Sequence, residues 1–151
     1  RKITSTVARQ LLGSNEVLEL GNMDSKRDWG FAPEFVEAMI SALNFEEPET
    51  FILATGKLLC SVREFLLAAY AVANISVELQ GQEKDEVLVE TESGRTLMVI
   101  NPNFFRPVES TQLVGNPEKA ERLLGWKAST IGLQVAERMI LDELELLKAG
   151  I

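Results

Sequence analysis

The sequence predicts a mixed α/β chain, an α+β piece in which short strands sit among five helices. Three observations carry this. Apolar residues recur every three or four positions at both ends and in the middle, which marks amphipathic helices. Short apolar runs closed by glycine or asparagine mark strands between them. A Ser93-Gly94 turn between two β-rich stretches marks a hairpin.

Taken in order, Ile3, Val7 and Leu11 predict a helix over residues 3–12, which Gly13-Ser14-Asn15 stops. Val17-Leu18-Glu19-Leu20 reads as a short strand ended by Gly21-Asn22. Residues 22–30 are polar and turn-rich. Pro33 suits the first turn of a second helix, with Phe35, Val36, Met39, Ile40 and Leu43 as its buried stripe. Phe51-Ile52-Leu53-Ala54-Thr55 is a continuous apolar run, the pattern of a buried, parallel-type strand.

Ser61-Val62-Arg63-Glu64 is a capping box, in which the serine and the third helical residue satisfy each other's backbone amides. It starts a helix over 62–73. Ser76 to Leu79 reads as a strand, and 86–90 with 95–100 as the hairpin. Asn116-Pro117-Glu118 opens a helix that Gly125 closes. The last helix spans 131–148, with Leu133, Ala136, Ile140, Leu144 and Leu147 on one face. Two short strands and a hairpin make no self-contained sheet on paper, so the piece is expected to lean on a larger sheet outside the chain. A start at Arg1 instead of methionine likewise suggests an excised piece.

Composition narrows the function classes. At 151 residues, 46% of them hydrophobic, the chain suits one domain or a large part of one. Its net charge of −8 argues against non-specific nucleic-acid binding. One cysteine, Cys60, forms no internal disulfide and fits a reducing compartment. The apolar run 65–73 falls short of the ~20 residues a bilayer span needs, so no membrane segment is expected. Without histidine, Ser–His–Asp catalysis and histidine metal sites are excluded. Glu46 to Glu49 and Glu83 to Glu86 read as solvated loops, so no metal site is assigned. The glycines form neither dinucleotide nor triphosphate loop spacing. Tyr70 has Asn74 four residues on, so no Tyr-x-x-x-Lys pair exists, and Tyr70 itself reads as core. No catalytic residue is assigned in this chain.

The binding candidates are arginines. Phe105-Arg106-Pro107-Val108-Glu109 places a guanidinium and a carboxylate three residues apart. Arginine can fork onto phosphate, and a carboxylate can accept from vicinal hydroxyls. That is the chemistry of a nucleotide or nucleotide sugar. Spacing alone weighs this equally with a surface ion pair. Arg27, in Lys26-Arg27-Asp28-Trp29-Gly30 on a loop after a strand, is the second candidate. The plain alternative is a solvated arginine beside a capping Asp28 and a packed Trp29. Lys2 is the weakest on spacing. Leu124-Gly125-Trp126-Lys127 reads as structural, with the tryptophan covering the core.

Together these stretches resemble the C-terminal half of the GDP-mannose 4,6-dehydratase family, extended short-chain dehydrogenase/reductases. The resemblance runs through Arg1-Lys2-Ile3-Thr4, Leu20-Gly21-Asn22-Met23-Asp24, Lys26 to Gly30, Ala54-Thr55-Gly56, Ser61 to Phe65, Phe105 to Glu109 and Leu124 to Lys127, in the family's order. It implies that the whole chain, 1–151, is a substrate-binding portion whose Rossmann portion is absent. Arg106 would hold the diphosphate of GDP-mannose and Glu109 the ribose hydroxyls. Arg27 would contact the nucleotide or diphosphate, Lys2 would lie near the substrate at the domain junction, and backbone around Leu20 and Gly21 would border the base. It further implies a bound NADP, held mainly by the missing portion. NADP would take hydride from the sugar C4, water would leave across C5 and C6, and the hydride would return to C6. The threonine, glutamate, tyrosine and lysine for that chemistry would lie upstream of Arg1. A cytoplasmic homo-oligomer, dimer or tetramer, is implied for the complete protein. Phe31 and Pro33-Glu34-Phe35 depart from the family's usual histidine and Lys-Asp-Tyr, while Arg27, Arg106 and Glu109 keep its residues.

Overall fold

The computed structural model describes residues 1–57, 60–105 and 114–149. Its helices are α1 (Lys2–Leu11), α2 (Ala32–Leu43), α3 (Val62–Val72), α4 (Glu118–Leu124) and α5 (Leu133–Lys148). Its strands are β1 (Leu18–Leu20), β2 (Lys26–Arg27), β3 (Cys60–Ser61), β4 (Val77–Gln80), β5 (Val87–Glu90) and β6 (Thr96–Ile100). No helix among the described residues is long and apolar enough to cross a membrane.

The expectation that the strands would not close a sheet is corrected. β1, β6, β5 and β4 lie in that order in one four-stranded sheet. β1 runs parallel to β6, with Leu18 opposite Met98 and Leu20 opposite Ile100. β5 pairs antiparallel with both β6 and β4. The sequence concealed this because paired residues of β1 and β6, such as Leu20 and Ile100, are 80 positions apart, and nothing local records a long-range ladder. β1 and the hairpin are each too short to stand alone, yet together they share a buried face.

Helices α1, α3 and α5 pack on one another around this sheet. Val7, Phe65, Leu66, Tyr70, Leu88, Leu97, Met98, Ala136 and Ile140 are fully enclosed. A polar bolt runs through the core. The Gln10 carboxamide donates to the carbonyls of Glu16 at 2.7 Å and Leu97 at 2.9 Å, and accepts from the Tyr70 hydroxyl at 2.6 Å. The Gln10 carboxamide and the Tyr70 hydroxyl thus gain partners, which is the condition for burying them at low cost. Burial pushes the Tyr70 phenol up and keeps it neutral. The core reading of Tyr70 agrees with this geometry.

The capping box at α3 forms as the sequence predicts: Ser61 Oγ accepts from the Glu64 amide at 3.2 Å, and Glu64 Oε2 accepts from the Ser61 amide at 2.7 Å. Gly125 ends α4 in the left-handed region at φ 64°. The Asn116 side chain accepts from Glu118 N at 2.9 Å, but Pro117 is the capping residue, one position later than its sequence pattern suggests.

α2 overturns its predicted stripe. Only Ala38 is buried; Val36, Met39, Ile40 and Leu43 are exposed, Leu43 to 85%. Phe35 alone of the stripe turns inward, edge-on to Trp126 at 5.1 Å, in a second small cluster with Ala38, Ala120, Phe51 and Leu53. Residues 51–55 likewise form no ladder among the described residues, and Ile52 is exposed. The predicted strand has no ladder partner among the described residues, and a strand is defined by its pairing. Leu133 on α5 is also exposed, because it lies at the helix's first position, before the buried face of Val135, Ala136 and Ile140. Trp126 is enclosed, as expected for a covering residue, and donates through Nε1 to the Glu34 carbonyl at 2.9 Å.

Candidate functional site

Because β1 and β6 are parallel neighbours, their C-terminal ends open on the same edge of the sheet. The crevice beyond such strand ends is where open α/β sheets place ligands. Here the chain leaves β1 at Leu20-Gly21-Asn22 and leaves β6 at Asn101-Pro102-Asn103-Phe104. The Asn101 amide donates to the Leu20 carbonyl at 2.7 Å, which ties the two exits together. Asn101 Oδ1 then accepts from Asn103 N at 2.9 Å, and the Phe104 amide donates to the Asn101 carbonyl at 3.0 Å, turning the chain back sharply.

A cavity of about 360 Å³ lies between these exits, lined by Leu20, Gly21, Asn22, Ser25, Arg27, Val62, Asn103 and Phe104. Gly21 is required by its neighbour: a Cβ there would stand 2.1 Å from the Phe104 carbonyl oxygen. Bare backbone therefore forms part of the cavity rim, where a flat ligand can lie close.

Arg27 belongs to β2 and not to a loop, which corrects its sequence placement. β2 pairs antiparallel with β3, setting Arg27 opposite Cys60 and Lys26 opposite Ser61. The strand carries Arg27 into the cavity wall, and its Nη1 donates to the Lys26 carbonyl at 2.9 Å. Its neighbours fix the strand from the other side. Asp28 accepts from the Thr55 amide at 3.0 Å, and Trp29 stacks on Phe65 with ring centres 4.2 Å apart. Asp28 thus pins residues 51–55 to β2, a link invisible in the sequence.

Lys2 sits beside the cavity. Its Nζ donates to the Glu19 carbonyl at 2.7 Å and lies 4.7 Å from the centre of the Phe104 ring. Four of the six sequence-predicted positions, Lys2, Leu20, Gly21 and Arg27, therefore meet around one opening. Arg106 and Glu109 lie outside the described residues; the chain reaches Phe105 immediately after the cavity-lining Phe104. Asn22, Ser25, Val62, Asn103 and Phe104 also line the cavity, though no sequence pattern by itself marks them as site residues. The asparagine-rich turn 101–104 carries a partial signal for Asn103, since asparagines that make turns also present carboxamides.

The arrangement offers an aromatic face, carboxamide edges, bare backbone and two cationic side chains. It suits a ligand that joins a flat polar ring to an anionic group, and the binding chemistry is local, because the chain as a whole is acidic.

A profile of the family described as GDP-mannose 4,6 dehydratase matches residues 1–139. The chain belongs to that family. It is 40% identical over 151 residues to the GDP-mannose 4,6 dehydratase of Dictyostelium discoideum, covering 99% of this chain and 42% of that protein. The chain spans between 27% and 42% of the length of the curated relatives compared. Among solved structures, RMD from Pseudomonas aeruginosa complexed with NADPH superposes with a TM-score of 0.66 at 18% identity, over 95% of this chain and 40% of that one. UDP-glucose 4-epimerase from Bifidobacterium longum, in complex with NAD+ and UDP, gives 0.64 at 18% identity, over 97% and 40%. These likenesses are of fold, a mixed α/β architecture in agreement with the predicted class.

Proposed function

We propose that this chain is the substrate-binding portion of a longer, two-part GDP-mannose 4,6-dehydratase, and that the cavity between the ends of β1 and β6 receives the GDP part of GDP-mannose. The observation that carries the reading is the convergence of Lys2, Leu20, Gly21 and Arg27 on that cavity in a chain of this family. In it, Arg27 contacts the nucleotide or diphosphate, and backbone at Leu20 and Gly21 borders the base. Lys2 stands at the junction, Arg106 grips the diphosphate and Glu109 accepts from the ribose hydroxyls.

Two features support the two-part reading. The relatives are more than twice as long as the chain, and α2 with residues 51–55 presents apolar side chains that a further layer would cover. Nothing in this chain has the glycine spacing that cradles a dinucleotide, so its residues do not fit NADP as a complete site. The cofactor and the chemistry, 4,6-dehydration to GDP-4-keto-6-deoxy-D-mannose, are assigned to the other portion, and no catalytic step is assigned to residues here. The complete protein is proposed as a cytoplasmic dimer or tetramer, which light scattering would size.

Calorimetric titration of the protein with GDP-mannose tests the binding reading. Arg106→Ala and Arg27→Ala should each weaken binding by ~1.5–3 kcal/mol, the worth of charge-assisted hydrogen bonds. No binding by the unaltered protein, with no effect of either change, would sink it. A second reading comes from the shared fold: the epimerase likeness raises an epimerase or reductase as the parent activity. Mass spectrometry of the product separates the two, since only a dehydratase loses water.

A further inference from the structure

The first turn of α3 meets the cavity wall from behind. Its amides, which have no partner within the helix, reach the chain of residues 22–25: Val62 N donates to the Ser25 carbonyl at 3.0 Å and Arg63 N to the Met23 carbonyl at 2.8 Å. The Arg63 side chain extends the same grip. Its Nε and Nη2 each lie 2.9 Å from Asp24 Oδ1, and its Nη1 donates to Glu86 Oε1. Asp24 in turn donates its amide to the Asn22 side-chain oxygen at 2.9 Å. Asn22 lines the ligand cavity.

The far end of this relay is enclosed. The Glu86 side chain is 8% exposed and that of Arg63 26%, whereas Asp24 is 76% exposed. An enclosed carboxylate is stable beside a guanidinium and costly without it, so Glu86 corrects its reading as part of a solvated loop. The Glu86 hydrogen bond, more than any other contact, holds the Arg63 guanidinium charged. A second cavity of about 400 Å³ lies behind the wall, lined by Asn22, Asp24, Arg63, Lys84, Glu86 and Phe105 among others. Asn22 is common to both cavities. Residues 22 and 24 therefore have hollow space beside them, and directed polar contacts, not packing, set their position.

We propose that Arg63 is a positioning residue: anchored on Glu86, it holds Asp24 and through it sets Asn22 in the nucleotide cavity, tuning affinity without touching the ligand. The inference rests on the GDP-binding reading above. Arg63→Ala should speed amide hydrogen exchange at residues 22–25 while α1 and α5 keep their protection. It should weaken GDP binding about tenfold, the scale of one lost charge-assisted hydrogen bond. Arg63→Lys should restore part of the affinity, since one ammonium can meet one carboxylate but not fork onto two.

Because Arg63→Ala strands Glu86 and can unfold the chain, Asp24→Ala serves as the second variant; it removes an exposed partner and should weaken GDP about threefold with an unchanged melting temperature. Unchanged exchange at 22–25, or faster exchange with unaltered GDP affinity, overturns the inference while leaving GDP binding intact. A parent protein that binds no GDP at all overturns the functional reading and takes this inference with it.

Discussion

α2 and α3 are helices of similar length with similar apolar spacing, and they end in opposite circumstances. α3 buries Phe65, Leu66, Ala69 and Tyr70 between α1, α5 and the sheet. α2 buries Ala38 alone and touches little beyond α4 and Trp126. Amphipathic spacing states that a helix has an apolar face; it does not state that the covering partner lies in the same chain. Around α3 the partner is present and the core closes. Around α2 no such partner stands among the described residues, and polar contacts do much of the holding: Glu34 accepts from Ser129 N, Ser129 Oγ and Thr130 N at 2.7–3.0 Å.

The comparison breaks most sharply at Phe65. Truncation to alanine should cost ~3–5 kcal/mol in urea unfolding, as for large aromatic core residues. A cost below about 1 kcal/mol would mean that the α3 core is no better closed than the α2 side. Gly21→Ala comes next. Its methyl would meet the Phe104 carbonyl, so the exit of β1 must shift, at ~1–3 kcal/mol and with loss of GDP binding in calorimetry.

Glu34 sharpens the α2 side. Burial pushes its carboxyl up, but hydrogen bonds from Thr130 and Ser129 outweigh that and leave it below its ordinary 4.5. A lowered value in the folded state contributes stability that is full above 4.5 and is lost as pH falls through the lowered value. Unfolding followed between neutral and acid pH should show that loss, and Glu34→Gln should flatten it at a cost of about 1 kcal/mol near neutrality. The smallest effect is expected at Leu43. Leu43→Ser should change the stability of this chain by less than ~0.5 kcal/mol, as at open surface. A loss above 2 kcal/mol would show that the α2 face is covered after all, by a second copy or otherwise.

Much of this molecule is legible in one dimension. Ser61 and Glu64 announce the start of α3, Gly125 the end of α4, and Ser93-Gly94 the hairpin, because caps and turns are made by residues within a few positions of each other. Arg27, Gly21 and Lys2 could be named as binding candidates for the same reason: their chemistry, and the order of the motifs that hold them, is written locally. What the tertiary structure alone decided is which of these meet. The parallel pairing of β1 with β6 brings Leu20 beside Asn101 and opens the cavity. The pairing of β2 with β3 turns Arg27 toward it. Arg63 reaches Asp24 and Glu86 across 39 and 23 positions. The apolar pattern of α2 and of 51–55 is real but does not fix burial, because exposure depends on what stands opposite. Short-range sterics and hydrogen bonding act between sequence neighbours and so leave their mark in the sequence; burial, ion pairing and cavity shape act between surfaces, and exist only once the chain has brought those surfaces together.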